Sequence, residues 1–253
     1  MRHNLLDVTF NIPVRIESDE RLRNFRIVVS YLQKHFQTNI LVGEESPSPT
    51  LRKSCRNIGY IHFKSDDKIF YRTRVLNELA RASTTPIIVN YDADVLLRPE
   101  SILKTVEVMR SGECSLAYPY EGMFRNIMTE HIGKVQRSLD ITPLNNTNTH
   151  ELSATSCGGA MFWNNKDFME VGMENEKFKG WGLEDNERFS RAKKLGKKIF
   201  RIPGVLYHLH HSRGINSNDS HSSYQDNVSE LRKILEMSKY DLEEYIKTWE
   251  WTK

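Results

Sequence analysis

A chain of 253 residues is long enough for one substantial core, and its 38% hydrophobic and 27% charged residues are those of an ordinary water-soluble globule. The formal charge of +3 is small and the basic residues are scattered rather than striped, so nucleic acid is excluded as the expected partner. No run approaches the ~18 apolar residues of a membrane span, and His3, Asn4 and Asp7 stand where a signal peptide is apolar. Cys55, Cys114 and Cys157 are too few and too widely spaced for a disulfide framework or zinc cluster, which leaves a cytoplasmic protein or one resting on the cytoplasmic face of a membrane.

The first half alternates strand and helix signals. Residues 8–14 read as a strand, and 19–36 as an amphipathic helix capped by Ser18 or Asp19. A short apolar strand at 39–43 precedes a polar stretch, 44–57, whose Pro47 and Pro49 predict a surface loop. Residues 58–63 give a strand, 68–82 a helix, and 86–91 a buried strand ending at Asp92-Ala93-Asp94. Pro99 opens a helix to about residue 110, and 115–118 give a further strand. Such alternation predicts an α/β fold with a mostly parallel central sheet flanked by helices, whose ligands lie at the carboxyl ends of the strands.

The second half is less regular. Residues 120–156, with their run of Asn and Thr, carry no strong period and read as an acceptor-side insertion. Residues 156–163 look like a turn feeding a strand, 184–195 a helix stopped by Gly196, and 198–202 and 205–208 two short strands. The polar segment 213–227 is expected to be mobile when empty, and the tail carries one or two amphipathic helices ending in Trp249 and Trp251, which either sit at a membrane interface or dock on the body.

Three clusters carry the chemistry. Asp92 and Asp94 follow a buried strand; Gly180-Trp181-Gly182-Leu183-Glu184-Asp185 sets an aromatic plate between glycines ahead of paired carboxylates at a helix start; and His208-Leu209-His210-His211 offers imidazoles. Together these can build one metal-assisted site beside a sugar. In an extended segment His208 and His210 share a face while His211 points oppositely, so periodicity alone pairs the first two. An oxygen-rich site suits Mn²⁺ or Mg²⁺, and imidazole tilts the choice toward Mn²⁺.

In order and spacing, from about residue 10 to 213, these residues resemble the inverting GT-A glycosyltransferases, most closely the β-1,4-galactosyltransferases and related bacterial polysaccharide synthase domains. The resemblance implies a GT-A domain over 1–227, with a nucleotide-binding half at about 1–118 and an acceptor-binding half at about 119–227, followed by a helical tail at 228–253. It places Pro13, Arg15, Arg72 and Asp92 on the nucleotide, Asp94, His208 and His211 on the metal with a turn between the histidines, and Gly158 and Gly159 under the sugars. Asp185 becomes the general base, Glu184 a binder of acceptor hydroxyls, and Trp181 a stacking surface. His208 departs from the animal enzymes, which usually have methionine there. Ser156 stands where they have a bulky aromatic, which leaves room for an N-acetyl group.

The expected activity is metal-dependent transfer of Gal, GalNAc or GlcNAc from a UDP-sugar to a glycan or lipid-linked oligosaccharide, with inversion, in surface polysaccharide synthesis. A metal-dependent phosphoesterase would need a second metal set, and a non-catalytic carbohydrate-binding protein would have little use for Asp94, His211 and Arg72 together.

Overall fold

The computed structural model describes residues 2–217, 219 and 223–253. The first half builds β1 (His3–Val14), α1 (Asp19–His35), β2 (Phe36–Ser46), β3 (Gly59–Lys64), α2 (Arg72–Ala82), β4 (Ile87–Tyr91), β5 (Val95–Leu97), α3 (Pro99–Arg110) and β6 (Leu116–Tyr118). The second half adds β7 (Met123–Ile127), α4 (Thr129–Ser138), β8 (Thr149–Ser153), β9 (Ala160–Asn164), α5 (Asn165–Glu170), α6 (Glu184–Lys194), β10 (Ile199–Arg201), β11 (Val205–Leu209), α7 (Tyr224–Glu236) and α8 (Lys239–Lys247).

Local chemistry sets the boundaries. Ser18 Oγ accepts the Arg21 amide and opens α1, while Asp19 and Glu20 meet the positive end of its dipole. The predicted helix at 68–82 starts only at Arg72, because side chains take the amides ahead of it: Asp67 that of Ile69, Asn216 that of Phe70, and Glu45 that of Tyr71. Gly196, at φ +80°, ends the α6 turn in the left-handed region that glycine tolerates.

The main sheet has seven strands in the order β10-β6-β9-β4-β1-β2-β3. Pairings are parallel except that β9 runs against both β4 and β6. All five residues of β4 are buried, as a central strand covered on both faces requires. Phe10, Tyr91 and Phe162 meet edge to face across it, with centroids 5.5 and 5.9 Å apart.

Two expectations need correction. The stretch at 44–57 is not loop throughout: β2 runs on to Ser46, and Glu44 and Glu45 are fully buried. Glu44 accepts from the amides of Thr50 and Leu51 and the hydroxyl of Tyr60, so a charge that reads as surface is instead the core of its own turn. Residues 120–156 are not an aperiodic insertion, since β7 and β8 join β5 and β11 in a second sheet, ordered β5-β11-β7-β8. The two short strands expected at 198–202 and 205–208 form as β10 and β11 and enter different sheets.

The tail docks on the body. Trp249 is buried, with Arg191 stacked 5.2 Å from its ring, and Trp251 Nε1 donates to the Gly172 carbonyl at 3.2 Å. The boundary expected at 227/228 falls inside α7, where buried Asn227 accepts the Lys179 amide and donates to the carbonyls of Lys179 and Gly182. Part of the segment expected to be mobile, 213–227, lies outside the described residues; of the rest, Asn216 bonds the Phe70 amide and Ser217 accepts from Arg21. Among the described residues no helix is long and apolar enough to cross a membrane.

Candidate functional site

The carboxyl ends of β1 and β4, the start of β9 and the second sheet enclose a cleft of about 570 Å³, within the usual size of a small-molecule site. Pro13, Arg15, Arg72, Asp92, Asp94, Gly158, Gly159, Trp181, Glu184, Asp185, His208 and His211 all line it. Because β9 is antiparallel, its opening glycines face the end of β4, and the Asp92 amide donates to the Gly159 carbonyl at 2.8 Å.

At one end stands a group of three metal-capable side chains. β5 pairs with β11, setting Val95 opposite His208, and the Leu209 amide bonds the Asp94 carbonyl at 2.8 Å. The strand ends there, so His211 turns back: Asp94 Oδ2 lies 3.1 Å from His211 Nε2 and 3.7 Å from His208 Nε2. Ligand atoms of the three lie within 4.8 Å of one another. The Nδ1 of each ring is already engaged, His208 with Asn126 Oδ1 at 2.8 Å and His211 with the Ser212 carbonyl at 2.9 Å. Those acceptors take the ring protons and leave each Nε2 lone pair for the group Asp94 faces, a donor set that fits a divalent cation. His210, which strand alternation would have paired with His208, instead accepts from Asn126 Nδ2.

Protonation follows the same geometry. Burial pushes the Asp94 carboxyl up, but the two imidazoles more than reverse this and hold it well below the usual range. Burial pushes His211 down, and Asp94 again wins, leaving that imidazole raised.

The other end is built by a tight turn. Gly180, Gly182 and Leu183 have φ of +68°, +107° and +74°, and this left-handed path exposes the Trp181 indole and starts α6 at Glu184. Asp185 is held by Arg188, at 2.8 Å from Oδ1, rather than by the helix amides its position implies. Its Oδ2 lies against Gly158, where a β-carbon would come within 2.1 Å, so any side chain there would displace the carboxylate. Glu184 Oε2 accepts the Gly182 amide at 3.0 Å. Burial and then the Asp185 charge push the Glu184 carboxyl up to about 7.

Between the two ends lies Arg72, with Nη2 2.5 Å from Asp92 Oδ1 and Nη1 3.7 Å from Glu184. That Nη1 is buried without a hydrogen-bond partner among the described residues, a donor left over for a ligand. Burial, against the pull of Arg72, leaves the Asp92 carboxyl raised. Arg15 spends its guanidinium on the Asp67 and Ile69 carbonyls and on Glu45, so it also secures the turn that walls the cleft.

Sequence reasoning missed Arg21, Asn126 and His150. Arg21 reaches within 4.0 Å of Asp94 Oδ2 from the first turn of α1, and Asn126 Nδ2 contacts both His150 and His210 while its Oδ1 meets His208. Neither arginine nor asparagine carries a motif there; only the pairing of β7 with β11 brings Asn126 opposite His208.

A family model described as the N-terminal domain of galactosyltransferase matches residues 142–212. No curated protein matches the sequence. Among solved structures, the catalytic domain of a Drosophila β1,4-galactosyltransferase 7 with xylobiose is 16% identical, with a TM-score of 0.51 over 89% of this chain and 79% of that one. A mutant of the same enzyme with manganese, UDP-Gal and xylobiose is 14% identical at a TM-score of 0.52, over the same shares. GalNAc-T7 with UDP, GalNAc and Mn²⁺ superposes at 0.60 with 14% identity, over 94% of this chain and half of that one. The architecture is the GT-A glycosyltransferase fold, and the chain resembles the galactosyltransferases within it.

Proposed function

We propose that this chain is a UDP-sugar-dependent glycosyltransferase that needs a divalent cation and inverts the anomeric centre. The observation that carries the reading is that Asp94, His208 and His211 face the Glu184–Asp185 pair across one cleft, with the spare donor of Arg72 between them. When bound, Mn²⁺, or Mg²⁺ in its place, would sit on Asp94, His208 and His211 and neutralise the charge that builds on the leaving diphosphate.

The chain's own residues then divide the work. Pro13, Arg15, Arg72 and Asp92 receive the nucleotide. Trp181 stacks on a sugar's C–H face, over the backbone of Gly158 and Gly159. Asp185 takes the proton of an acceptor hydroxyl as that oxygen bonds the anomeric carbon; the bond from that carbon to the diphosphate oxygen breaks, and its electron pair leaves with UDP. A carboxyl pushed up to about 7 suits Glu184 to exchange hydrogen bonds with acceptor hydroxyls as either donor or acceptor. One displacement with one base gives a β-linked product from an α-linked donor.

The small side chain of Ser156, bonded to the Tyr120 hydroxyl at 3.2 Å, leaves room at the cleft wall for Gal, GalNAc or GlcNAc. We place the acceptor among glycans or lipid-linked oligosaccharides of surface polysaccharide synthesis, at the cytoplasmic side. The phosphoesterase reading lacks a second metal set: Asp94, His208 and His211 are the one such group among the described residues. The test is thermal stabilisation by UDP-Gal, UDP-GalNAc and UDP-GlcNAc with and without Mn²⁺, followed by the anomeric configuration of the product. Absence of any Mn²⁺-dependent stabilisation, or a retained anomer, overturns it.

A further inference from the structure

Beneath the carboxylate pair lies a buried charge network that the mechanism so far leaves idle. The Arg188 side chain is fully buried, and its Nε donates to both oxygens of Glu174, at 2.7 and 2.8 Å, while its Nη1 donates to Asp185 Oδ1 at 2.8 Å. Glu174, equally buried, is bolted in turn to the walls of the nucleotide side. Asn90 of β4 donates to its Oε1 at 2.6 Å, and Asn77 of α2 both accepts its amide at 2.8 Å and donates to its carbonyl at 3.0 Å. β4 runs directly into Asp92, and α2 begins with Arg72. One network therefore connects the strand and helix that bear the proposed nucleotide contacts to the carboxylate on the other side of the cleft.

A stability role explains this poorly. Burying a guanidinium and a carboxylate costs desolvation that their attraction barely recovers, and apolar residues of similar volume commonly do as well or better. Arg188 Nη2 moreover stays buried without a partner among the described residues. What the network does achieve is geometric: a planar fork fixed on Glu174 admits one position for Asp185 Oδ1, and this turns Oδ2 toward the cleft over Gly158.

We propose that Arg188, locked by Glu174, is a positioning residue that aims Asp185 at the acceptor hydroxyl. The proposal rests on Asp185 being the base. The charged and titratable groups around that carboxylate are Arg188, Arg72, Glu184, Asp92, Tyr118, Tyr120 and Cys157. Of these, Arg188 is the closest cation, and Glu174 faces Asp185 only through it.

The experiment compares Arg188→Lys, Glu174→Gln and Asp185→Asn in the full chain. Release of UDP is followed with Mn²⁺ and whichever of UDP-Gal, UDP-GalNAc and UDP-GlcNAc stabilises the protein most. Lysine keeps the charge but loses the fork, so Arg188→Lys should lower kcat about tenfold to a hundredfold with the donor KM and Mn²⁺-dependent stabilisation unchanged. Glu174→Gln loosens the anchor of that fork and should lower kcat in the same way, with the donor KM again unchanged. A merely structural network would lower the melting temperature of these variants without splitting kcat from the donor KM. Adding Asp185→Asn to Arg188→Lys should cost nothing beyond Asp185→Asn alone. Wild-type kcat in both Arg188→Lys and Glu174→Gln, with Asp185→Asn lowered roughly a hundredfold, overturns this proposal and spares the base; ordinary turnover in Asp185→Asn overturns the base itself.

Discussion

The two ends of the cleft use the same kind of group to opposite effect. Asp94 and Glu184 are both carboxylates enclosed by protein, yet Asp94 is held well below the usual range and Glu184 is pushed up to about 7. Burial acts alike on both; the neighbours decide. Asp94 faces two imidazoles, whereas Glu184 faces a second carboxylate that outweighs Arg72. A carboxylate ready for a cation and one ready to share a proton thus come from one backbone by choice of partner.

That contrast can be broken first at the metal end. Asp94→Ala should leave the fold intact, since the residue lies between strands, and lower Mn²⁺-dependent transfer by roughly 10³, because the diphosphate loses its counter-cation. UDP release and Mn²⁺-dependent melting check this together. At the other end, Asp185→Asn should lower transfer by roughly 10² while donor and metal affinity persist, and Trp181→Ala should harm acceptor binding and rate together. His211→Ala should weaken Mn²⁺ binding about tenfold or more beyond His210→Ala, measured by calorimetry. The reverse order would mean that the turn after Leu209 does not form.

The smallest effect sharpens the comparison through pH. The raised carboxyl of Glu184 binds its proton more tightly folded than unfolded, so its contribution is fully present below about 4.5 and lost as pH rises through about 7. Raised His211 has the same sign, its contribution lost above its ordinary 6.5 as pH climbs through the raised value. The metal-free protein should therefore lose a few degrees of melting temperature between pH 5 and about 8, and Glu184→Gln should flatten that slope. Stabilisation by Mn²⁺ should run the other way, growing with pH as His211 gives up its proton.

The seven-stranded sheet was legible because buried strands such as 86–91 and capped helices such as that at Ser18 advertise themselves in local pattern. The second sheet was not: β7 and β8 are five residues each, separated by a helix and an Asn-rich turn, and their partners lie up to about 80 residues away. Glu44 and Glu45 misled because charge reads as surface unless its partners are known, and these come from Thr50, Tyr60 and Arg74. In the site, the aspartates and the Trp-carboxylate fragment stood out as motifs. The choice between His210 and His211 could not be made from alternation, because the strand that alternation assumes stops one residue too soon.

Asn227 carries a consequence for how such a chain can diversify. Its amide grips both sides of the turn that presents Trp181, holding Lys179 by two bonds and Gly182 by a third. The tail helix is thus a splint on the loop that carries Trp181. Substitutions far from the cleft, along α7 or under Trp249, can tilt that splint and change how Trp181 is presented to the cleft without touching Asp94, Arg72 or Asp185.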